Sequence, residues 1–249
     1  MMADFLYGVN PVTEALQGGS RTPLELLVVK GDAGPRLQTL IELAKSRQVR
    51  VSFLPRTELD RLAGHSHHQG VLLKLTPFAY HSLDELLAVW RNSGLSAFFL
   101  LLDGITDPHN FGAILRSAEV VGCHGVIVAK DRSCPVTPVV EKTAAGALSH
   151  LPLCQVTNLA RAIDELKVAG IWCYGLAGEE GAEDLFRAGL SGNLALVVGS
   201  EGKGLRPNIR KHCDGLLAIP MRGQVGSLNA SVAAGVALFE VLRQNMTDG

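Results

Sequence analysis

Five stretches of the chain, AFFLLLD (97–103), GVIVA (125–129), IWCYGL (171–176), LALVVG (194–199) and GLLAIP (215–220), are almost wholly apolar. A strand with one wet face alternates polar and apolar residues, so strands that show water no polar side are covered on both faces. Helical patterns lie between the five, and strands joined through helices run parallel. The expected fold class is therefore α/β, with a mainly parallel sheet sandwiched by helices from residue 96 onward. In such sheets ligands sit beyond the carboxyl ends of the strands, which directs attention to the loops that follow them.

The chain before residue 96 has a different texture. Asn10-Pro11 opens a short helix that Gly18-Gly19 closes, in the expected cap and first-turn order. LELLVVK, VRVSF and GVLLKL then read as strands, and RLQTLIELAKSR and PRTELDRLAG as the helices between them. This predicts a compact first domain over residues 1–75 and a second over 96–249. Residues 76–95 begin with Thr76-Pro77 and carry one helical stretch, SLDELLAVWRNSG, which predicts a partly packed linker.

Bulk properties narrow the setting. Of 249 residues, 47% are hydrophobic and 19% charged, an ordinary globular balance. No apolar run approaches the roughly 18 residues of a membrane helix, so no membrane partner is expected. The start, MMADFLYGVNP, lacks the regions of a signal peptide, and the five cysteines (Cys123, Cys134, Cys154, Cys173, Cys213) stand 11 to 40 residues apart. That spacing suits neither a metal site nor a disulfide framework, and predicts core thiols in a cytoplasmic protein. The net charge of −1 gives no vote for nucleic acid. A local basic surface is expected instead from Lys203, Arg206, Arg210 and Lys211, with Arg206 and Arg210 four apart on one helix face. His65, His67 and His68 lack Cys or carboxylate partners at ligand spacing, so no metal is expected there. A turn before the 70–75 strand is, with RNA contact through His68 and Gln69.

Three loops gather the chemistry. DGITDPHNFGAILRSAEVVG (103–122) reaches a helix through Asp107, Pro108, His109 and Asn110 and presents Arg116 about two turns later. GSEGKGL (199–205) sets three glycines around an acid. IPMRGQVGSLNAS (219–231) runs into an apolar helix through Ser227 and Asn229, more hydrogen-bonding groups than one helix cap requires. Nucleotide templates fail on these loops: Lys203 is followed by Gly204, which breaks the P-loop pattern, and no G-x-G-x-x-G joins a strand to a helix. No serine stands in a G-x-S-x-G elbow either.

In this order and spacing, LDGITDPHNFGAILRSAEVVG, LALVVGSEGKGL and IPMRGQVGSLNASVAAGVALFE resemble the three motifs of the SpoU (TrmH) branch of the SPOUT RNA methyltransferases. HHQGVLLKL and VAKDRSCPVTPVVEKTAAGA extend the resemblance over nearly the whole chain. It implies a trefoil knot in the C-terminal SPOUT domain, a small N-terminal RNA-binding domain of the L30e type, and a homodimer. It also implies methylation of a guanosine ribose 2'-hydroxyl in 23S ribosomal RNA, with S-adenosylmethionine as donor and no metal. Carried over by position, Gly199, Ile219 and Leu228 would hold the donor, and Asn110, Arg116, Glu201, Ser227 and Asn229 would form the catalytic set. Family proposals make the arginine a base, but guanidinium stays charged at any working pH, so Arg116 is expected to stabilise the developing alkoxide instead. The chain departs from its relatives at Phe111 and Gly226, positions that do not carry the chemistry. Three competing readings remain at this level: a transfer-RNA ribose methyltransferase, a non-catalytic ribosome-assembly factor that binds RNA, and a parallel-sheet enzyme for small molecules.

Overall fold

A computed structural model describes residues 4–18, 21–31, 34–178, 181–224 and 226–246. The chain divides into two units, Met1–Ala79 and Tyr80–Gly249.

In the first unit the elements run β1 (Asp4–Tyr7), α1 (Val9–Gly18), β2 (Pro23–Val29), α2 (Pro35–Ser46), β3 (Arg50–Leu54), α3 (Arg56–Ala63) and β4 (Val71–Leu75). The sheet order is β1-β4-β2-β3, with only β2 and β3 parallel. Strand alternation splits its apolar side chains between two layers. Leu6, Leu26, Val28 and Leu73 meet Val12, Leu40 and Ile41 of α1 and α2, while Leu27 and Leu72 meet Leu59 of α3.

The second unit continues with α4 (Leu83–Ser93), β5 (Phe98–Asp103), α5 (Pro108–Val120), β6 (Gly125–Ala129), α6 (Pro138–Ala144), β7 (Leu153–Val156), α7 (Leu159–Val168), β8 (Trp172–Leu176), β9 (Glu183–Asp184), β10 (Leu194–Gly199), α8 (Pro207–His212), β11 (Gly215–Ala218) and α9 (Ala230–Met246). Its sheet has the order β7-β6-β5-β10-β8-β11-β9, and every pairing in it is parallel. The apolar strands are covered on both faces, as their composition requires. Phe99, Leu101, Ile127, Ala195 and Val197 pack with residues of α4, α7 and α8. The alternate residues Leu100, Leu102, Leu196 and Val198 are also buried, on the face where α5 and α9 lie against each other.

Helix α4, read from sequence within the connector, puts Leu83, Leu86 and Leu87 into this core. Its start is a reciprocal cap: Ser82 Oγ accepts from Glu85 N–H while the Glu85 carboxylate accepts from Ser82 N–H at 2.7 Å. That same pair holds the Glu85 carboxyl below its ordinary value. Among the described residues no helix is long and apolar enough to cross a membrane, and no three His, Cys, Asp or Glu side chains gather in a metal-holding group.

Candidate active site

Strand β10 ends at Gly199, in register with Asp103 at the end of β5. The chain then folds straight back: Gly204 N–H donates to Ser200 O at 2.9 Å. A Cβ on Gly199 would stand 2.2 Å from the Gly204 carbonyl carbon, so this position takes only glycine, while Gly202 and Gly204 adopt φ values of 73° and 60° that glycine reaches without strain. Asp103, fully inside the protein, pins the far end of the turn. Its carboxylate accepts from Arg206 N–H at 2.8 Å and from Arg206 Nε–H at 2.6 Å, which pairs a buried charge on both oxygens.

This folded-back loop presents Glu201 to two helix starts. Asp107 caps α5 by accepting from Asn110 N–H at 2.8 Å, which places Asn110 in the first turn. At the start of α9, Asn229 Oδ1 accepts from Ser231 N–H at 3.0 Å and Val232 N–H at 3.4 Å, so Asn229 is the cap. Its other end is free for the site. Asn229 Nδ2 donates to Asn110 Oδ1 at 2.9 Å and to Glu201 Oε1, which also accepts from Asn110 Nδ2 at 2.9 Å and Ala230 N–H at 3.1 Å. One carboxylate oxygen thus gathers the three loops singled out in the sequence. The network fixes both amides with nitrogen toward the acid.

Beside it, beyond the ends of β8, β10 and β11, opens a cleft of about 540 Å³. Glu201 belongs to its wall, and so do Gly199, Ile219, Ser227 and Leu228. The 199–204 and 219–221 segments together with Leu176, Val198 and Leu217 complete a lining suited to a flat, partly polar ligand. Ser227 is exposed on the rim and leaves the helix cap to Asn229.

The sequence expectations meet the structure unevenly. Asn110, Glu201 and Asn229 form one network. Arg116 stands six residues past Asn110, about one and two-thirds helical turns, exposed on a different side of α5 and outside these hydrogen bonds. Arg206 and Arg210 do not share one free helix face: Arg206 precedes α8 with its Nε tied to Asp103, while Arg210 lines the cleft and donates through Nη2 to Leu205 O at 3.1 Å. RNA contact through His68 is corrected. Its ring is fully buried, with Nε2 2.9 Å from Asp60 Oδ1 and Nδ1 accepting from Gly70 N–H at 3.1 Å, so it organises the turn before β4. Gln69 remains exposed at φ 56°, with Oε1 accepting from Val9 N–H at 2.8 Å. The cysteines are free thiols, and burial pushes Cys173 up to about 12 and Cys154 and Cys213 to about 11, which removes thiolate chemistry from the site. Sequence reading missed the Asp103–Arg206 tie, although a lone charge closing an otherwise apolar strand was its signal.

Comparison with known proteins places this geometry. Residues 97–239 match the family model described as the SpoU rRNA Methylase family, and residues 5–81 match the one described as RNA 2'-O ribose methyltransferase substrate binding. The chain is 45% identical over 244 residues to the 23S rRNA (guanosine-2'-O-)-methyltransferase RlmB of Shewanella oneidensis, with 97% of each chain covered. To the protein of that name from Escherichia coli K12 it is 42% identical over 246 residues, 98% of this chain and 99% of the relative. Among solved structures it resembles the SpoU methyltransferase AviRb from Streptomyces viridochromogenes in complex with AdoMet, at a TM-score of 0.75 and 26% identity over 100% of this chain and 92% of that one. A parallel sheet, three loops joined on one acid and two matched models covering most of the sequence have one reading: this chain is a member of the SpoU rRNA methylase family.

Proposed function

We propose that the protein transfers a methyl group from S-adenosylmethionine to the ribose 2'-hydroxyl of a guanosine in 23S ribosomal RNA. The observation that carries this is the Asn110–Glu201–Asn229 network beside the glycine-lined cleft, whose wall Glu201 shares. Relatives above 40% identity along the full chain bear that activity in their names. The ribosomal substrate is favoured over transfer RNA by coverage: the TrmH/SpoU tRNA modifying enzyme of A. aeolicus covers 67% of this chain, at a TM-score of 0.58.

The cleft suits the donor in size and lining, and Gly199, Ile219 and Leu228, which line it, would hold the donor. Once bound, the donor supplies an electrophilic methyl on a sulfonium, a displacement that needs no metal. What the chain adds is position. Two amides and a carboxylate, locked by their mutual bonds, hold the acceptor ribose in line with the cleft at the rim where Ser227 stands, and oriented reactants react far faster than free ones. Arg116 carries a permanent positive charge and stabilises the alkoxide as the hydroxyl's proton passes to water or an RNA phosphate.

The family supports the remaining parts of this reading: an L30e-type RNA-binding domain over residues 1–75, a linker over 76–95, a catalytic domain over 96–249 with a trefoil knot, a homodimer and a place in the cytoplasm. The test is transfer of labelled methyl to unmodified 23S ribosomal RNA, followed by nucleoside digestion, with Arg116→Ala and Asn229→Ala alongside. A 2'-O-methylguanosine product that both variants lack is the expected result. Donor binding without transfer to any RNA would leave a binding factor.

A further inference from the structure

A second cavity, of about 280 Å³, opens at the same edge of the parallel sheet, beyond the ends of β6 and β7. The 129–132 loop, the start of α7 and the 206–209 segment form its walls. Leu205 and Arg210 line the first cleft while Arg206 and Asn208 line this one, so a single short segment separates the two.

Its polar groups are held in place before any ligand arrives. Arg206 lines the cavity with its Nε committed to buried Asp103, which fixes the plane of the guanidinium and leaves the terminal nitrogens for a ligand. An arginine oriented by a carboxylate is suited to phosphate, because little freedom is lost when the second partner binds. Arg132 sits in the left-handed region at φ 63°, a conformation that non-glycine residues adopt at a cost. Hydrogen bonds on both sides hold it there: Lys130 N–H to Val156 O at 2.7 Å and Cys134 N–H to Ile105 O at 2.8 Å. In the same loop the Ser133 hydroxyl is buried with no hydrogen-bond partner among the described residues. Strain and an unsatisfied hydroxyl in one loop mark a place shaped for something other than stability.

The lining is not simply cationic. Asp131 contributes a carboxylate, and Asn158 and Asn208 contribute amides, with Asn158 Oδ1 spent on capping α7 so that its nitrogen is the end left over. Both signs of charge with amides suit a ligand that joins an anion to a ring edge bearing donors and acceptors. The geometry points to this cavity as a subsite for one nucleotide of the RNA strand adjoining the methylated one, its phosphate on Arg132 and Arg206 and its base edge on Asp131 and the two asparagines. This rests on the reading of the chain as an RNA methyltransferase.

The test uses the full-length protein and transcribed 23S ribosomal RNA, with binding and methyl transfer measured separately. Arg206 is left intact because it also holds Asp103. Arg132→Asn removes the charge but keeps a residue that tolerates positive φ, and Asn208→Ala trims one amide. Arg132→Asn is expected to weaken RNA binding about tenfold, the loss of one charge-assisted bond. The slope of log affinity against log salt should fall by about 0.7, one phosphate of a single strand. Asn208→Ala is expected to weaken binding about threefold, a neutral bond. Melting temperature, donor affinity and the rate at saturating RNA should stay as in the wild type. Unchanged affinity and salt slope in Arg132→Asn would overturn the subsite while leaving the methyltransferase reading intact. Wild-type protein that binds the RNA without methylating it would sink the reaction, and the variants' affinities would still decide the subsite. A wild type that binds neither 23S ribosomal nor transfer RNA would overturn both.

Discussion

Asn229 serves two structures with the two ends of one amide: its oxygen caps α9 and its nitrogen joins Asn110 to Glu201. The roles separate by substitution. Asn229→Ala loses both, and loss of a cap costs about 1 kcal/mol, or about 2–4 °C in melting temperature for a chain of this size. Asn229→Ser restores an efficient cap but cannot reach back to the acid. Its melting temperature is expected to match the wild type while the transfer rate stays about a hundredfold low, the scale of removing one preorganised polar contact. A fully active Asn229→Ser would show that the network is not needed for the reaction. Arg116→Lys tests the neighbouring role, since it keeps the charge and loses the planar fork; near-wild-type turnover would mean that charge alone suffices. The sequence marked these residues because polar groups clustered at strand-to-helix junctions beyond what capping needs. That they share one carboxylate oxygen was hidden, because partners 91 and 28 residues apart leave no local pattern. The same blindness misplaced His68. Polarity suggested a surface ring, and only the fold brings Asp60 from α3 to bury and satisfy it.

At the scale of elements, long apolar strands and capped helices were legible, while the short edges were not. Strands β1 and β7 are four residues long, and β9 has two residues, too few to carry a period. Helix α4 looked like part of a connector because nothing in its own amphipathic pattern says which sheet its leucines will meet. Close helix contacts were equally invisible. Gly112 lies in the middle of α5, where alanine would ordinarily stabilise a helix by about 1 kcal/mol. Here an added Cβ would come within 2.6 Å of Thr143 Cβ and 2.9 Å of the Val140 carbonyl oxygen on α6. The second of these is backbone and cannot swing aside. Gly112→Ala is therefore expected to destabilise by roughly 1–3 kcal/mol, the cost of overpacking, visible as a lower urea midpoint at unchanged slope. A midpoint equal to or above the wild type would show that α5 and α6 separate without penalty.

At the scale of the whole molecule, periodicity predicts the parallel sheet but says nothing about a knot or a second subunit, which concern how the chain threads and what covers it. The surface supplies a physical reason for a partner. Val232, Phe239 and Met246 follow one another at seven-residue spacing along α9, 50%, 49% and 71% exposed, and Val120 on the adjoining α5 is 60% exposed. Seven residues bring a helix back to nearly the same side, so these form one apolar stripe of the kind that marks an interface. Arg116 stands four residues before Val120, on the same side of α5. A partner that covers Val120 would also draw Arg116 out of bulk water, where its charge acts more strongly on an alkoxide. Phe239→Glu tests this chain of reasoning, because an exposed position tolerates the change within about 0.5 kcal/mol in an isolated subunit. Light scattering is expected to show a dimer for the wild type and a monomer for the variant, with donor affinity retained and methyl transfer largely lost. A wild-type monomer would remove the dimer altogether. A monomeric variant that still methylates at the wild-type rate would show that Arg116 acts within its own subunit, exposed to solvent as it stands.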